Sequence, residues 1–343
     1  MMKRMMTGAV CLGLLAMSSQ AYAGQAIPEE SGFSGFVQLG VGIVSMESNT
    51  VAGASSVGTL GERTLSSLQE SPDSETKVYA VFNGELKYTF GASKTQLFFG
   101  NSLEDLVRYD FTSQIGVRQD VGKAGIMGGG ILFTSFPTEV WKDPYMTDTR
   151  RQRTDRSSQG IRFAWENIMS SRFDVQYSYR EISIDKEYSG NDYFGTGPIT
   201  AYQRSLLDRE GDQYTLAGEY TFVLDKQNLL KPKVTINSYD LDGEAMASDE
   251  IGVQLTHTYL GERYVFISNI YLSTSENDKR NPLFNKTQED DTIGLGFIAI
   301  YQKLMEIPEL SLVGNVAYYT TDSNIAFYDT TVFVSSVSCL YRF

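Results

Sequence analysis

The chain has 343 residues and carries 42 acidic against 29 basic side chains, a formal charge of −13. That balance weighs against nucleic acid as a partner, because a nucleic-acid surface needs clustered Lys and Arg. After the first two dozen residues no run approaches the roughly 20 apolar residues of a membrane-crossing helix, so a helical membrane protein is also excluded.

In chain order, the first element is not part of a mature fold. Lys3 and Arg4 precede an apolar stretch over 5–17, and Ala21-Tyr22-Ala23 forms a small-residue cleavage signature before Gly24. Residues 1–23 therefore read as a secretory signal peptide, too short to span a bilayer. Cys11 is a poor lipidation site: cleavage there would discard the apolar region, and Val10 is large for the preceding position. Its removal leaves Cys339 as the one cysteine, so no intramolecular disulfide can form.

From residue 33 onward the dominant signal is alternation with a period of two. Phe33, Gly35, Val37, Leu39, Val41 and Ile43 share one face. The same pattern recurs at Ile161-Phe163-Trp165, at Phe173-Val175-Tyr177-Tyr179 and at Tyr214-Leu216-Gly218-Tyr220-Phe222. It predicts about fourteen strands, near 33–46, 78–90, 95–102, 111–120, 125–136, 160–166, 172–184, 212–223, 229–240, 249–259, 263–273, 291–301, 310–320 and 330–343. The connections alternate. Short ones fall at 91–94, 121–124, 167–171, 224–228, 260–262 and 302–309. Long ones fall at 47–77, 103–110, 137–159, 185–211, 241–248, 274–290 and 321–329.

Loops sorted by parity are the mark of an outer-membrane barrel, with short periplasmic turns and long external loops; a soluble sandwich has no reason to sort them. Phe90, Trp165, Phe173, Tyr220, Phe222, Tyr259, Tyr264, Tyr301 and Tyr341 fall near strand ends, where interfacial girdles sit. The expected fold is an all-β, transmembrane, antiparallel up-and-down barrel in one domain over 24–343. It places the protein in the outer membrane of a Gram-negative bacterium.

The terminal run Val337-Ser-Cys339-Leu-Tyr341-Arg-Phe343 alternates and ends on Phe. It resembles the sorting signal read by the barrel-assembly machinery, with Tyr341 and Phe343 as the insertion signal. Three further stretches are Ile27-Pro-Glu-Glu-Ser-Gly-Phe-Ser-Gly-Phe36, Gly100-Asn-Ser-Leu-Glu-Asp-Leu106 and Phe136-Pro-Thr-Glu-Val-Trp141. Together they resemble an uncharacterised family of Gram-negative outer-membrane barrels, known as a domain of unknown function. The resemblance implies an exported barrel and no activity, substrate or site.

Chemistry is sparse. The one histidine, His257, shares the phase of Leu255 and Tyr259, which faces lipid near the periplasmic rim. A lipase or protease in this membrane needs a general base, usually His, and no nucleophile motif accompanies this one. Neither cofactor nor metal spacing is present. Gly128-Gly129-Gly130 lies inside a strand with no following helix, so it reads as a bend or as space in the lumen, not as a phosphate loop.

Charge inside the barrel is mixed. Glu85, Lys87, Arg118, Asp120, Glu166, Arg172, Asp174, Glu219, Lys231, Lys233 and Arg263 take the lumen phase toward the periplasmic half. Glu166 is expected beside Arg172, and Glu219 beside Lys233. Arg162 and Arg180 are expected above them in the external half. Lys142, Arg150, Arg151, Arg153 and Arg156 form a basic external loop, placed to meet lipopolysaccharide phosphates or to draw anions to a pore.

About fourteen strands leave room for a narrow pore, since eight enclose only side chains and sixteen to eighteen a channel. The first functional reading is a narrow porin-like channel for small solutes, anionic ones among them. A non-conducting structural or surface-binding barrel and a lipid-modifying enzyme remain as alternatives.

Overall fold

A computed structural model describes residues 26–343 except 55–56, 62, 103–110, 194–196 and 198. The proposed signal peptide and the 103–110 connection lie outside the described residues.

Fourteen strands build one closed wall. They are β1 Gly32–Glu47, β2 Ser74–Phe90, β3 Thr95–Ser102, β4 Phe111–Asp120, β5 Ile126–Phe136, β6 Arg153–Glu166 and β7 Phe173–Ile184. The second half continues with β8 Gly211–Tyr220, β9 Asn228–Leu241, β10 Ser248–Leu260, β11 Tyr264–Asn281, β12 Lys286–Gln302, β13 Leu310–Ser323 and β14 Thr330–Arg342. Phe222–Val223 prolongs β8 past Thr221. Each strand pairs antiparallel with its sequence neighbours, and β14 pairs back onto β1, for example Leu39 opposite Cys339. A backbone bond from Gly35 N to Phe343 O (3.0 Å) and its reciprocal (3.1 Å) carry the seam to the last residue. Among the described residues no strand of the wall has an unpaired edge, the condition for backbone in hydrocarbon.

The exterior is inverted relative to a soluble protein. Leu39, Val41, Phe82, Ile131, Phe163, Leu216, Ile251, Leu295 and Val337 are all exposed. At the short-turn end this band finishes in packed aromatics: Tyr259, Tyr264, Phe266, Phe297 and Tyr301 contact one another, and Tyr220 contacts Phe222. At the other end Tyr179 meets Tyr214, and just above them the outward positions turn acidic. Glu181, Asp212 and Asp240 face one another across β7, β8 and β9, and Asp249, Glu276 and Glu289 do so across β10, β11 and β12. Carboxylates set opposite one another are tolerable only in water, so this row marks where the bilayer ends.

Three strands differ most from their sequence-based bounds. β6 starts at Arg153 rather than 160, β11 runs to Asn281 rather than 273, and β12 starts at Lys286 rather than 291. The extensions are polar on both faces, so they carry no apolar alternation. The ladder nevertheless continues, because backbone groups above the membrane still pair best with one another. The loop expected over 274–290 is therefore a projecting hairpin with its turn at 282–285.

Candidate functional site

The interior has three storeys, each set by which side chains take the inward phase. The lowest, toward the short turns, is split into two sectors. Across β10–β14 the inward residues are apolar: Val265, Ile267, Ile298, Ile300, Val313 and Leu340 pack together, with Phe36 and Leu260 against them. The sequence carried a signal for this. Tyr264-Val-Phe-Ile267 and Phe297-Ile-Ala-Ile-Tyr301 are continuous apolar runs rather than alternating ones, as expected of strands covered on both faces.

The opposite sector holds the mixed charge. Arg118 on β4 grips Glu166 on β6 with both edges of its guanidinium, Nε to Oε1 at 3.0 Å and Nη2 to Oε2 at 2.6 Å, and donates from Nη1 to Gln96 at 3.0 Å. The intervening strand permits the reach because Gly128 stands between them; a Cβ there would meet Arg118 Cγ at 3.3 Å. The triple glycine is thus space for an arginine. Lys87 and Glu85 are paired at 2.5 Å beside this cluster, and both are buried. Glu219 lies opposite Lys233 and accepts from Lys231 at 3.3 Å. Asp174 accepts from Asn167 N at 2.7 Å.

Several expectations need correction. Glu166 pairs with Arg118 and not with Arg172, which is exposed at the short turn ahead of β7. Asp120 and Arg263 also belong to the rim: Asp120 meets Lys94 at 3.3 Å, and Arg263 clasps Glu306 at 2.7 and 2.8 Å. A cross-turn neighbour is the default partner only when no longer side chain reaches in from two strands away. Arg162 lies nearer the external end of β6 than Glu166, as expected, but its side chain reaches the same cavity as the carboxylates. It donates to Gln114 at 3.4 Å and lines a cavity of about 70 Å³ together with Arg118, Glu166, Asp174, Glu219 and Lys233. Arg180 is buried on β7 opposite Gly160 and Gln213.

The middle storey is a chamber of about 450 Å³. Its walls come from inward positions near the external ends of the strands. Among them are Tyr239, Glu250, Tyr271, Asp290 and Tyr319, with Arg156 on β6 across from them. Glu250 accepts from Tyr271 Oη at 2.6 Å and from Asn237 Nδ2 at 3.2 Å.

The top storey is a cap. Leu65, Tyr145, Ile199, Leu207, Ile325, Phe327 and Tyr328 form a buried core contributed by external connections far apart in sequence, flanked by Met246, Leu283 and Phe284. Tyr145 and Tyr328 share a hydrogen bond of 2.7 Å, and Asn281 Nδ2 donates to Tyr328 Oη at 2.7 Å. Burial pushes the Tyr145 phenol up to about 12 and raises that of Tyr328. Asp143 organises the next layer by accepting from the backbone N–H groups of Tyr145, Gly190 and Asp192 at 3.0–3.1 Å. Its carboxyl is nevertheless raised, because burial outweighs those bonds; Glu187, paired with Arg209 at 2.7 Å, is raised for the same reason. Short strands 51–54 and 138–141 tie the cap to β6.

Most of the basic external loop stays together: Lys142, Arg150, Arg151 and Arg153 line one outer depression, and Arg156 turns away into the chamber. Arg151 is buried, stacked 4.4 Å over Trp141 and bonded to the carbonyls of Asn49 and Pro144. Arg153 and Arg156 lie on β6, Arg156 pointing into the chamber. Lys142, Arg150 and Arg153 line an outer depression of about 730 Å³ with Arg63 and Lys186. Sequence reading missed the cap, although Trp141, Tyr145, Phe284 and Phe327 in connections were its signal: solvated loops do not carry such residues. His257 lies outside the lumen and shares a 3.0 Å hydrogen bond with Asn228. Tyr341 and Phe343 are exposed at the seam. Among the described residues no group of three or more His, Cys, Asp or Glu is placed to hold a metal.

The wall, its closed register and its apolar exterior define a transmembrane β-barrel. The chain belongs to the family described as "Protein of unknown function (DUF2860)", whose pattern matches residues 32–342. No curated protein matches it. Among solved structures it is similar to the CymD monoaromatic hydrocarbon channel, at 10% identity and a TM-score of 0.44, over 90% of this chain and 88% of that one. The outer membrane channel DcaP of Acinetobacter baumannii is similar at 10% identity and a TM-score of 0.43, over 92% and 97%. An anion-selective porin from Comamonas acidovorans matches at 10% identity and a TM-score of 0.39, over 92% and 100%.

Proposed function

We propose that this protein is a porin-like channel of the bacterial outer membrane for small polar solutes, held shut in this conformation by its cap. The observation that carries this reading is the chamber of about 450 Å³ inside the wall, lined by charged, hydroxyl and tyrosine side chains among apolar ones and larger than packing requires. Above it lies a cap built by the external connections; below it the lumen holds a charged sector, with a cavity of about 70 Å³, and an apolar one. A barrel serving only as a wall or a surface anchor has no need of an internal polar chamber, since filling it with side chains would stabilise the fold. Export by the N-terminal segment and insertion through the terminal Tyr341 and Phe343 fit the same reading.

An anion preference has weaker support. Arg162 shares its cavity with Glu166, Asp174 and Glu219, so the narrow region carries both signs.

Planar-bilayer recording tests the proposal. Discrete conductance steps are expected, rare in the wild type and frequent once the cap is loosened by Phe327→Ala. Folded, heat-modifiable protein that stays electrically silent in both forms defeats it. A reversal potential under a salt gradient, compared with Arg162→Ala/Arg180→Ala, decides whether the pore prefers anions.

A further inference from the structure

We propose that the chamber beneath the cap is a binding site for a primary ammonium group, held by Asp290 and Gln288 among tyrosine rings. It deepens the channel reading, on which it rests only for the route by which the solute arrives.

Two oxygen atoms carry the argument. Gln288 on β12 is 92% buried and donates from Nε2 to Asp290 Oδ2 at 2.7 Å, which fixes both side chains on the chamber wall. That leaves Gln288 Oε1 buried with no hydrogen-bond partner and Asp290 Oδ1 with no close one, the Ser323 hydroxyl being a weaker donor toward Asp290. Neither is a donor, so they cannot satisfy each other, and a buried acceptor without a donor is costly. Asp290 also makes no ion pair among the described residues; the charged groups nearest to it in effect are Asp329 and Asp291, both acidic. A second carboxylate, Glu250, lines the same side of the chamber.

The complement of two open acceptors beside an uncompensated carboxylate is a compact cation with several donors. An ammonium supplies three N–H groups and one positive charge. The chamber adds what such a ligand needs around its carbon atoms. Tyr239, Tyr271, Tyr319 and Tyr328 line it, and aromatic rings attract a cation that leaves water. The basic residues of the chamber stand away from this corner. Arg156 is on β6, nearly diametrically across the wall from β12, and Arg209 is engaged by Glu187 and by the Trp141 carbonyl. An anion entering the same corner would meet the carboxylates of Asp290 and Glu250 and the open amide oxygen of Gln288.

The test uses 1,4-diaminobutane as probe, with 1,4-butanediol and succinate as neutral and anionic counterparts. Calorimetric titration is run on the folded, detergent-solubilised barrel, in the wild type and in Phe327→Ala, whose substitution lies in the cap and not on the chamber wall. The diamine is expected to bind in preference to both counterparts, at least in the loosened form. Asp290→Asn should weaken it by about 10- to 100-fold, the worth of a charged hydrogen bond. Gln288→Leu, which keeps the carboxylate, should weaken it less, and it replaces the first variant should that one not fold. Equal binding of diamine and diol in both backgrounds, or an Asp290→Asn protein that keeps its affinity, overturns the proposal. Because binding is read without current, a silent bilayer with an intact isotherm refutes the channel alone, and conductance without diamine binding refutes the ammonium site alone.

Discussion

The wall and the cap of this barrel are held together by different logic. In the wall each residue's partners are fixed by register, and one inward or outward choice repeats every second position. The ion pairs inside it, Arg118 with Glu166 above all, are buried within a rigid lattice of backbone bonds. The cap has no repeat. Its core and the side chains packed against it come from six connections at no regular spacing, and polar links such as Tyr145 to Tyr328 tie distant connections together. A lattice yields only as a whole, whereas a cluster of side chains can part locally. The difference separates the part that must persist in the membrane from the part that can open.

The sharpest way to break that comparison is to damage each part in turn. Arg118→Ala strands a buried Glu166 carboxylate, a loss of about 3–5 kcal/mol. It should lower the temperature at which the barrel loses its heat-modifiable mobility on gels. Phe327→Ala removes a fully buried ring at a local cost of about 3 kcal/mol or more, yet the same gel should show an unchanged barrel, with faster protease cleavage at the exposed Arg150. If Phe327→Ala melts the wall as well, cap and wall are one cooperative unit and the distinction fails.

Proton linkage gives a gentler probe. Asp143 and Glu187, both in the cap, hold protons to higher pH than they would in water. Their contribution to the closed cap is complete below the ordinary carboxylate range near about 4 and is lost as pH rises through the raised values. Channel openings should therefore become rarer as pH is lowered from neutral toward 5, and Asp143→Asn should flatten that trend; openings that increase on acidification contradict it. The smallest effect belongs to the rim. Arg263 and Glu306 are solvent-exposed, so Arg263→Ala should leave gel mobility and conductance unchanged.

The same contrast explains what could be read in advance. The wall was legible because lipid imposes alternation, and every strand was placed from it. Its largest errors fell where that pressure stops, at the polar extensions of β6, β11 and β12. Pairing inside the lumen was only half legible: Glu219 stands opposite Lys233 as register demands, but Arg118 crosses a glycine to reach Glu166, and register alone does not reveal which side chain is long enough to skip a strand. The cap was illegible as a structure because its contacts have no period. Trp141 and Phe327 announced only that their loops were not solvated.

The seam between Gly35 and Phe343 also governs how the molecule is made. β1 emerges first and its partner β14 last, so the first strand must wait for nearly the whole chain before half of its backbone bonds can form. Contacts of such long sequence separation carry the largest loop-closure entropy and make for slow folding. During that interval both ends of the growing sheet are sticky edges. A circular permutation that joins β14 to β1 and opens the short turn between β10 and β11 would only hand that wait to those two strands, so in every order of the chain one seam closes last.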